Sequence, residues 1–229
     1  MTPASLPPFR HRLPPRGLYA VTDGPRDDLV EAARAALEGG AVVLQYRDKS
    51  RDRARRLREA QALVELCRGC GVPLIVNDDV ELAGAGGAAG VHVGEDDAEI
   101  TVARARRGSD AIVGVSCYDS LERARRAAEA GADYLAFGSP FASSTKPSAR
   151  GAPASILGEA RTLGRPIVVI GGITPDNGGS LIAAGADFLA VVSAVFGAPD
   201  VRAAARRFAA LFESSNRTCP ATTNFSSTP

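Results

Sequence analysis

The sequence predicts a single-domain α/β protein, a (β/α)8 TIM barrel in which eight parallel strands alternate with eight helices. Short runs of β-branched residues alternate with longer stretches rich in Ala, Leu, Arg and Glu, as in repeated βα units. Most of the short runs are apolar along their whole length, which is typical of parallel strands buried on both faces. Eight such units in about 200 residues match the lower end of the size range of this barrel.

The elements can be placed in order along the chain. The predicted strands are Leu18 to Thr22, Val42 to Arg47, Leu74 to Asn77, Gly90 to Gly94, Ile112 to Ser116, Tyr134 to Gly138, Ile167 to Gly171 and Phe188 to Ser193. Helical patterns follow them, beginning near Asp28, Arg51, Val80, Ala98, Leu121, Ala154, Pro175 and Val201. Glycines that precede several strands, such as Gly131 and Gly185, mark the helix ends.

The domain boundaries follow from changes in composition. Residues 1–16, rich in Pro and Arg, predict a flexible arm, residues 17–213 the barrel, and residues 214–229, rich in Ser, Thr and Asn, a disordered tail. A doubly wound open sheet is the structural alternative. It is disfavoured because no GxGxxG fingerprint follows the first strand.

Charge, hydropathy and cysteine usage exclude several classes of protein. Lys plus Arg is 27 and Asp plus Glu is 26, so the net charge of +1 offers no broad field for nucleic acid or anionic lipid. The apolar runs are far shorter than the roughly 20 residues of a membrane-spanning helix. Four cysteines in a chain of this size indicate a reducing cytoplasm, with Cys67 and Cys70 as structural residues. The sequence leaves a homo-oligomer open.

Polar residues follow the strands, and in a closed barrel the loops at the carboxyl ends of the strands meet at one face. The candidate site residues at these ends are Gln45, Tyr46, Arg47, Asp48, Lys49, Asn77, Asp78, Asp97, Ser116, Ser143, Ser144, Thr145, Lys146, Gly171, Gly172, Val192 and Ser193. His92 lies within a strand and is interpreted as a hydrogen-bonded packing residue.

Both lysines of the chain belong to this set. Of the 27 basic residues, 25 are Arg, and only Lys49 and Lys146 are Lys. Codon bias alone does not explain why both lysines fall at strand ends. Their positions favour a need for compact, mobile ammonium groups over planar guanidinium groups.

Cations and carboxylates in one barrel mouth predict a metal-bridged diphosphate. Arg47, Lys49 and Lys146 could neutralise a polyanion, while Asp78 and Asp97 could hold Mg²⁺, which binds through one or two carboxylates and completes its shell with water and phosphate oxygens. Taken singly, these acids are more often turn or helix-capping residues.

A second phosphate site is predicted after strands seven and eight. The glycine pair Gly171 and Gly172 lets the backbone approach an anion closely, and helix N-termini follow both strands. The alternative is that the pair merely makes a tight turn.

These residues resemble the thiamine phosphate synthase family. The resemblance runs from Leu18 to Ser193 and includes the segments Gln45 to Lys49, Asn77-Asp78, Gly90 to Gly94, Gly114 to Cys117 and Gly171 to Ile173. It implies a transferase of thiamine biosynthesis that joins 4-amino-2-methyl-5-(diphosphooxymethyl)pyrimidine to 4-methyl-5-(2-phosphooxyethyl)thiazole. The products are thiamine phosphate and pyrophosphate, with Mg²⁺ as cofactor.

The resemblance also implies roles for the site residues. Gln45, Tyr46, Arg47, Asp48, Lys49, Asn77 and Lys146 would bind the pyrimidine diphosphate, Asp78 and Asp97 would ligate Mg²⁺, and Ser116 would lie near the pyrimidine. Ser143, Ser144, Thr145, Gly172, Val192 and Ser193 would contact the thiazole phosphate. Lys49, Lys146 and Ser116 would serve catalysis. The chain departs from the family pattern in having Glu95, Ser143 and Tyr118 where Gln, Thr and often His are usual.

Two alternatives stay open at this point. The thiazole tautomerase branch shares the barrel but relies on a histidine near the fifth strand end, where this chain has Cys117, Tyr118 and Asp119. A non-catalytic phosphate-ligand sensor would bind without metal dependence and release no pyrophosphate.

Overall fold

The computed structural model describes residues 13–94, 97–141 and 151–214, and the side chains of residues 95–99 and 214 are outside that description. Eight strands form one closed parallel barrel in chain order: β1 (Gly17–Val21), β2 (Ala41–Tyr46), β3 (Leu74–Asn77), β4 (Gly90–Val93), β5 (Ile112–Tyr118), β6 (Tyr134–Gly138), β7 (Ile167–Ile170) and β8 (Phe188–Val191). The predicted (β/α)8 barrel is confirmed. The open-sheet alternative is wrong, because β1 pairs with both β2 and β8.

The helices of the described residues pack around the barrel. They are α1 (Leu29–Glu38), α2 (Arg53–Cys70), α3 (Val80–Gly86), α4 (Asp97–Arg107), α5 (Leu121–Glu129), α6 (Ser155–Ala160), α7 (Pro175–Ala183), α8 (Ser193–Phe196) and α9 (Val201–Ser214), with a 3₁₀ turn at Arg161–Leu163. Several helix starts are fixed by caps, since Asp52, Asp79, Ser120 and Asp200 each accept a hydrogen bond from a backbone N–H three residues later. The four-residue α8 was not predicted.

Two apolar clusters explain why the strands are apolar along their length. One fills the barrel interior and includes Val43, Ile75, Ile112 and Phe188. The other lies between the outer face of the strands and the helices. Successive side chains of a strand point to opposite faces, so seven of the eight strands contribute to both clusters. The exception is β4, whose alternate residues Gly90 and His92 belong to neither cluster.

One glycine on β5 makes room for an aromatic ring inside the barrel. A Cβ atom on Gly114 would lie 1.8 Å from Cζ of Tyr134, on the neighbouring strand β6. Any larger residue at position 114 would displace the Tyr134 ring. The position of Tyr134 is therefore built into the packing of two strands.

The cysteines Cys67, Cys70 and Cys117 are free. Burial raises the pKa of the Cys67 thiol to about 12, which keeps it protonated and unreactive. This agrees with the interpretation of Cys67 as a structural residue, whereas Cys70 is exposed. Among the described residues, no helix combines the length and the apolarity needed to cross a membrane.

Candidate active site

A cavity of about 530 Å³ opens at the carboxyl ends of the strands. All eight strands, or the residues directly after them, contribute to its lining. The walls are largely apolar, with Val21, Ala136, Val168, Ile170 and Ala190 among them. Such a cavity can hold a small organic ligand away from water.

The second strand and the loop after it divide their side chains between two environments. Gln45, Arg47 and Lys49 line the cavity. The backbone of Arg47 is held by Thr22, which is fully buried and accepts a hydrogen bond from the Arg47 N–H at 2.9 Å. Lys49 is exposed at the rim, so its ammonium group is hydrated until a ligand arrives.

Tyr46 and Asp48 are not brought to the cavity, although substrate-binding roles were expected for them. The Tyr46 hydroxyl donates to Glu59 of α2 at 2.5 Å. The Asp48 carboxylate pairs with Arg55 of α2 at 2.7 Å and accepts from the Ser50 N–H at 2.7 Å. Both side chains face α2, because alternate residues of an extended chain point to opposite faces. These contacts hold the loop against α2, on the side that faces away from the cavity.

Asp78 stands at the rim beside Asn77, directly after β3. Its backbone has φ +63°, a left-handed conformation in which only Gly, Asn and Asp are common. The Asp78 N–H donates to the His92 carbonyl at 2.8 Å and holds this turn in place. The carboxylate is exposed and forms no hydrogen bond or ion pair within the described residues.

A chain of five polar side chains crosses the floor of the cavity. Gln45 Nε2 donates to Tyr19 Oη at 2.9 Å, and Tyr19 Oη lies 2.8 Å from Tyr134 Oη. His92 Nδ1 lies 2.9 Å from Tyr134 Oη, and His92 Nε2 lies 2.9 Å from Ser116 Oγ. We call this set of residues the floor relay. It joins β2 to β5 through the middle of the barrel.

Burial controls the ionisation of the floor relay. It lowers the pKa of His92 to about 4, against the opposing effect of the Asp78 charge. Burial also raises the pKa of Tyr19 and of Tyr134. His92 was interpreted as a hydrogen-bonded packing residue, and its hydrogen bonds to Tyr134 and Ser116 agree with that, but its side chain also lines the cavity.

Across the mouth, a glycine pair follows β7, which is four strands from β3 around the barrel. Gly171 and Gly172 have φ values of +114° and +57°, so the peptide path there requires glycine. The Gly171 carbonyl accepts from the Ser139 hydroxyl, and the Gly172 carbonyl accepts from Asn177 Nδ2 at 3.0 Å. Val192 and Ser193, at the start of α8, line the same side.

Several expected site residues lie outside the description. These are the side chain of Asp97 and the residues Ser143, Ser144, Thr145 and Lys146. The described part of the chain holds no group of three or more His, Cys, Asp or Glu side chains arranged to bind a metal by themselves.

Three residues of the floor relay, Tyr19, His92 and Tyr134, were not predicted as part of the site. A signal for them is present in the sequence, since each places a polar group within a short apolar strand. In a parallel barrel such a group must find a partner inside the protein. The sequence did not reveal that they are each other's partners.

Comparisons with known proteins agree with this geometry. Residues 18–195 match the model of the family described as thiamine monophosphate synthase. A thiamine-phosphate synthase of Chromobacterium violaceum is 54% identical over 204 residues, which are 87% of this chain and 99% of that protein. One from Methylobacillus flagellatus is 52% identical over 206 residues, 89% of this chain and 99% of that protein.

The chain belongs to the thiamine monophosphate synthase family. The solved thiamine phosphate pyrophosphorylase from Pyrococcus furiosus superposes with a TM-score of 0.78 at 37% identity, over 86% of this chain and 96% of that one. Family membership makes the chain an enzyme of thiamine biosynthesis, a transferase that moves an alkyl group and releases diphosphate. The expected family resemblance and class of reaction are confirmed.

Proposed function

We propose that the chain catalyses the Mg²⁺-dependent condensation of 4-amino-2-methyl-5-(diphosphooxymethyl)pyrimidine with 4-methyl-5-(2-phosphooxyethyl)thiazole, releasing pyrophosphate. The observation that carries this proposal is the rim of the cavity, where Arg47, Lys49, Asn77 and Asp78 lie together above apolar walls. Such a site can neutralise a diphosphate at one end and enclose an organic ring at the other.

The diphosphate would bind at the carboxyl ends of β2 and β3. Arg47 and Lys49 supply two positive charges, and the Asn77 amide supplies hydrogen-bond donors for phosphate oxygens. Lys146 would add a third charge, as the sequence predicts. Charge on the leaving diphosphate grows as its bond to carbon breaks, so these groups stabilise the transition state more than the substrate.

The residues at the β3 end fit a magnesium ion. Asn77 and Asp78 both line the cavity, and the exposed Asp78 carboxylate forms no hydrogen bond or ion pair with a side chain of the described residues. We propose that Asp78 and Asp97 hold the ion. When bound, Mg²⁺ would supply additional positive charge to stabilise the departing diphosphate. The two carboxylates would be enough on the protein side, because Mg²⁺ typically binds through one or two carboxylates.

The condensation would begin with departure of the diphosphate. The bond between the methylene carbon and the diphosphate oxygen breaks, and its electron pair leaves with pyrophosphate. The thiazole ring nitrogen then donates its lone pair to the resulting pyrimidine methyl cation and forms the new C–N bond. The apolar walls exclude water, which would otherwise capture the cation. No nucleophilic side chain is required.

The thiazole phosphate would bind on the β7 and β8 side of the mouth. Gly171 and Gly172 allow close approach of the backbone to an anion, while Val192 and Ser193 border the same space. Ser143, Ser144 and Thr145 are proposed as further contacts from their sequence positions. Two phosphorylated ligands would thus meet over the same floor.

The partners that we propose are these two small molecules, in the cytoplasm. The free thiols of Cys67, Cys70 and Cys117 agree with a reducing compartment.

The test is incubation of the purified chain with both phosphorylated heterocycles, with and without Mg²⁺. We expect thiamine phosphate and pyrophosphate to form in equal amounts, and formation of both to stop when the metal is chelated. Binding without pyrophosphate release would support a phosphate-ligand sensor. Isomerisation of a thiazole carboxylate phosphate without a pyrimidine partner would support the tautomerase.

A further inference from the structure

The direction of each hydrogen bond in the floor relay, from donor to acceptor, can be derived from the side chains involved. An amide nitrogen can only donate, so Gln45 Nε2 makes Tyr19 Oη an acceptor at 2.9 Å. The Tyr19 hydroxyl must then give its own proton to another atom. Tyr19 is 1% exposed, and Tyr134 Oη at 2.8 Å is its remaining partner among the described residues. Tyr19 therefore donates to Tyr134.

The same reasoning continues through the histidine. The Tyr134 hydroxyl has accepted from Tyr19 and donates to His92 Nδ1 at 2.9 Å. Nδ1 is then unprotonated, and the proton of the neutral ring lies on Nε2, which donates to Ser116 Oγ at 2.9 Å. A cationic His92 would donate from both nitrogens, and one of the two tyrosine hydroxyl protons would then lack an acceptor among the residues of the floor relay, at a cost that buried polar groups avoid.

We propose that Tyr19, Tyr134 and His92 are positioning residues that turn the hydroxyl proton of Ser116 into the cavity. Ser116 Oγ accepts from His92, so its own proton is available to the ligand. Ser116 is then a hydrogen-bond donor to the ligand, and it selects ligands that place an acceptor at this point of the floor.

The rings of the floor relay are held by packing as well as by hydrogen bonds. The His92 and Tyr134 rings stack with centroids 5.6 Å apart, and Tyr19 meets Tyr134 edge-on at 5.9 Å. Gly114 leaves the space that the Tyr134 ring fills. Since the rings cannot turn easily in this packing, the order of donors and acceptors persists when the ligand enters.

In the proposed function Ser116 lies near the pyrimidine, so the acceptor that it meets would be an unprotonated ring nitrogen of the aminopyrimidine. This assignment rests on the proposed function, whereas the sense of the floor relay does not. A hydrogen bond at the ring would hold the methylene carbon in one place before the diphosphate departs, and would contribute by orientation.

The first test measures the tautomer of His92 by ¹⁵N NMR in the full chain. The chain has two histidines, His11 and His92, so a His11→Gln variant assigns both signals. We expect His92 to carry its proton on Nε2 and none on Nδ1. A Gln45 amide rotated by half a turn would reverse every bond of the floor relay. A proton on Nδ1, or on both nitrogens at neutral pH, would therefore overturn the proposal.

The second test compares two variants that each remove one phenol oxygen. Tyr134→Phe removes the donor to Nδ1, so the KM for the pyrimidine diphosphate should rise about 3- to 10-fold, as for loss of one hydrogen bond. Tyr19→Phe leaves the Tyr134 donor in place and should have a smaller effect and keep the Nε2–H tautomer. Equal effects of the two variants would indicate a merely structural role.

A double-variant cycle asks whether Tyr134 acts through Ser116. If it does, Tyr134→Phe combined with Ser116→Ala should raise the KM no further than Ser116→Ala alone. Effects that multiply would contradict the proposal. The KM for the thiazole phosphate should change less than twofold throughout.

The two proposals can fail separately. If the unmodified chain forms no thiamine phosphate, the proposed function is refuted. The tautomer of His92 can still be measured in that case, so the floor relay is tested independently. A wrong tautomer in an active chain would refute the floor relay alone. Thermal melting identifies any variant that does not fold. The ¹⁵N NMR measurement of His92 is independent of such failures, because it leaves every residue of the floor relay unchanged.

Discussion

The two faces of β2 and its loop carry adjacent residues with different tasks. Gln45, Arg47 and Lys49 line the cavity, whereas Tyr46 and Asp48 contact α2. The inner face has half-buried or exposed cations without ion pairs in the described residues. The outer face has a buried carboxylate whose charge is paired with Arg55.

The difference separates ligand binding from loop stability within five consecutive residues. The cationic side chains of the inner face stay available because other contacts hold the loop, namely those of the outer face with α2 and those of Thr22 with the Arg47 backbone. Substitutions on the inner face should therefore change turnover and leave melting intact. Those on the outer face should do the reverse.

The largest effect is expected at the β3 end, where the same division separates two adjacent aspartates. Asp78→Asn keeps the left-handed backbone but removes the charge, so turnover should fall about 100-fold or more, measured as pyrophosphate release. Asp79 instead caps α3, so Asp79→Asn is the matched control and should retain turnover. Full activity of Asp78→Asn would exclude its carboxylate from the mechanism.

A smaller loss of turnover is expected at the rim cation of the β2 loop. Lys49→Ala should lower kcat/KM about 10- to 100-fold by removing one charge from the diphosphate site. Lys49→Arg should recover only part of the loss, because a guanidinium group is planar and larger than an ammonium group. Arg51→Ala, at an exposed basic residue that does not line the cavity, is the control. Equal losses at positions 49 and 51 would point to general charge effects.

On the outer face, Asp48→Asn should reduce stability more than turnover. Burial acts to raise the pKa of Asp48, but the Ser50 hydrogen bonds and the Arg55 charge together hold it below its usual value. The carboxylate therefore stabilises the fold at pH values above its unfolded-state pKa of about 4. This stabilisation is lost as the pH falls through the lower pKa that Asp48 has in the folded state.

We expect the melting temperature of Asp48→Asn to be lower by roughly 3–6 °C at pH 7. The difference from the unmodified chain should shrink as the pH is lowered below about 4. A difference independent of pH would show that the charge of Asp48 does not contribute.

The smallest effect is expected from Tyr46→Phe. This change removes the hydrogen bond to Glu59 and keeps the ring in the core, so the free energy of unfolding should fall by about 1 kcal/mol. Denaturant unfolding measures this change. Turnover should stay within twofold of that of the unmodified chain. A large loss of turnover would instead support a substrate-binding role for Tyr46.

The sequence predicted the strands well because a parallel barrel buries both faces of each strand. β3 and β6 have the predicted bounds, five other strands end one or two residues sooner than predicted, and β5 runs two residues further, to Tyr118. The short helix α8 escaped prediction, since four residues carry no helical period. The segment Gln45 to Lys49 was found as a unit, but the sequence did not separate its two faces.

The sequence by itself determined the barrel, the family and the polar character of the strand ends, because these follow from local periodicity and from motifs of adjacent residues. Only the tertiary structure decided which alternate side chains enter the cavity and how Gln45, Tyr19, Tyr134, His92 and Ser116 connect. Those contacts join residues as far as 115 positions apart, and a hydrogen bond depends on distance in space.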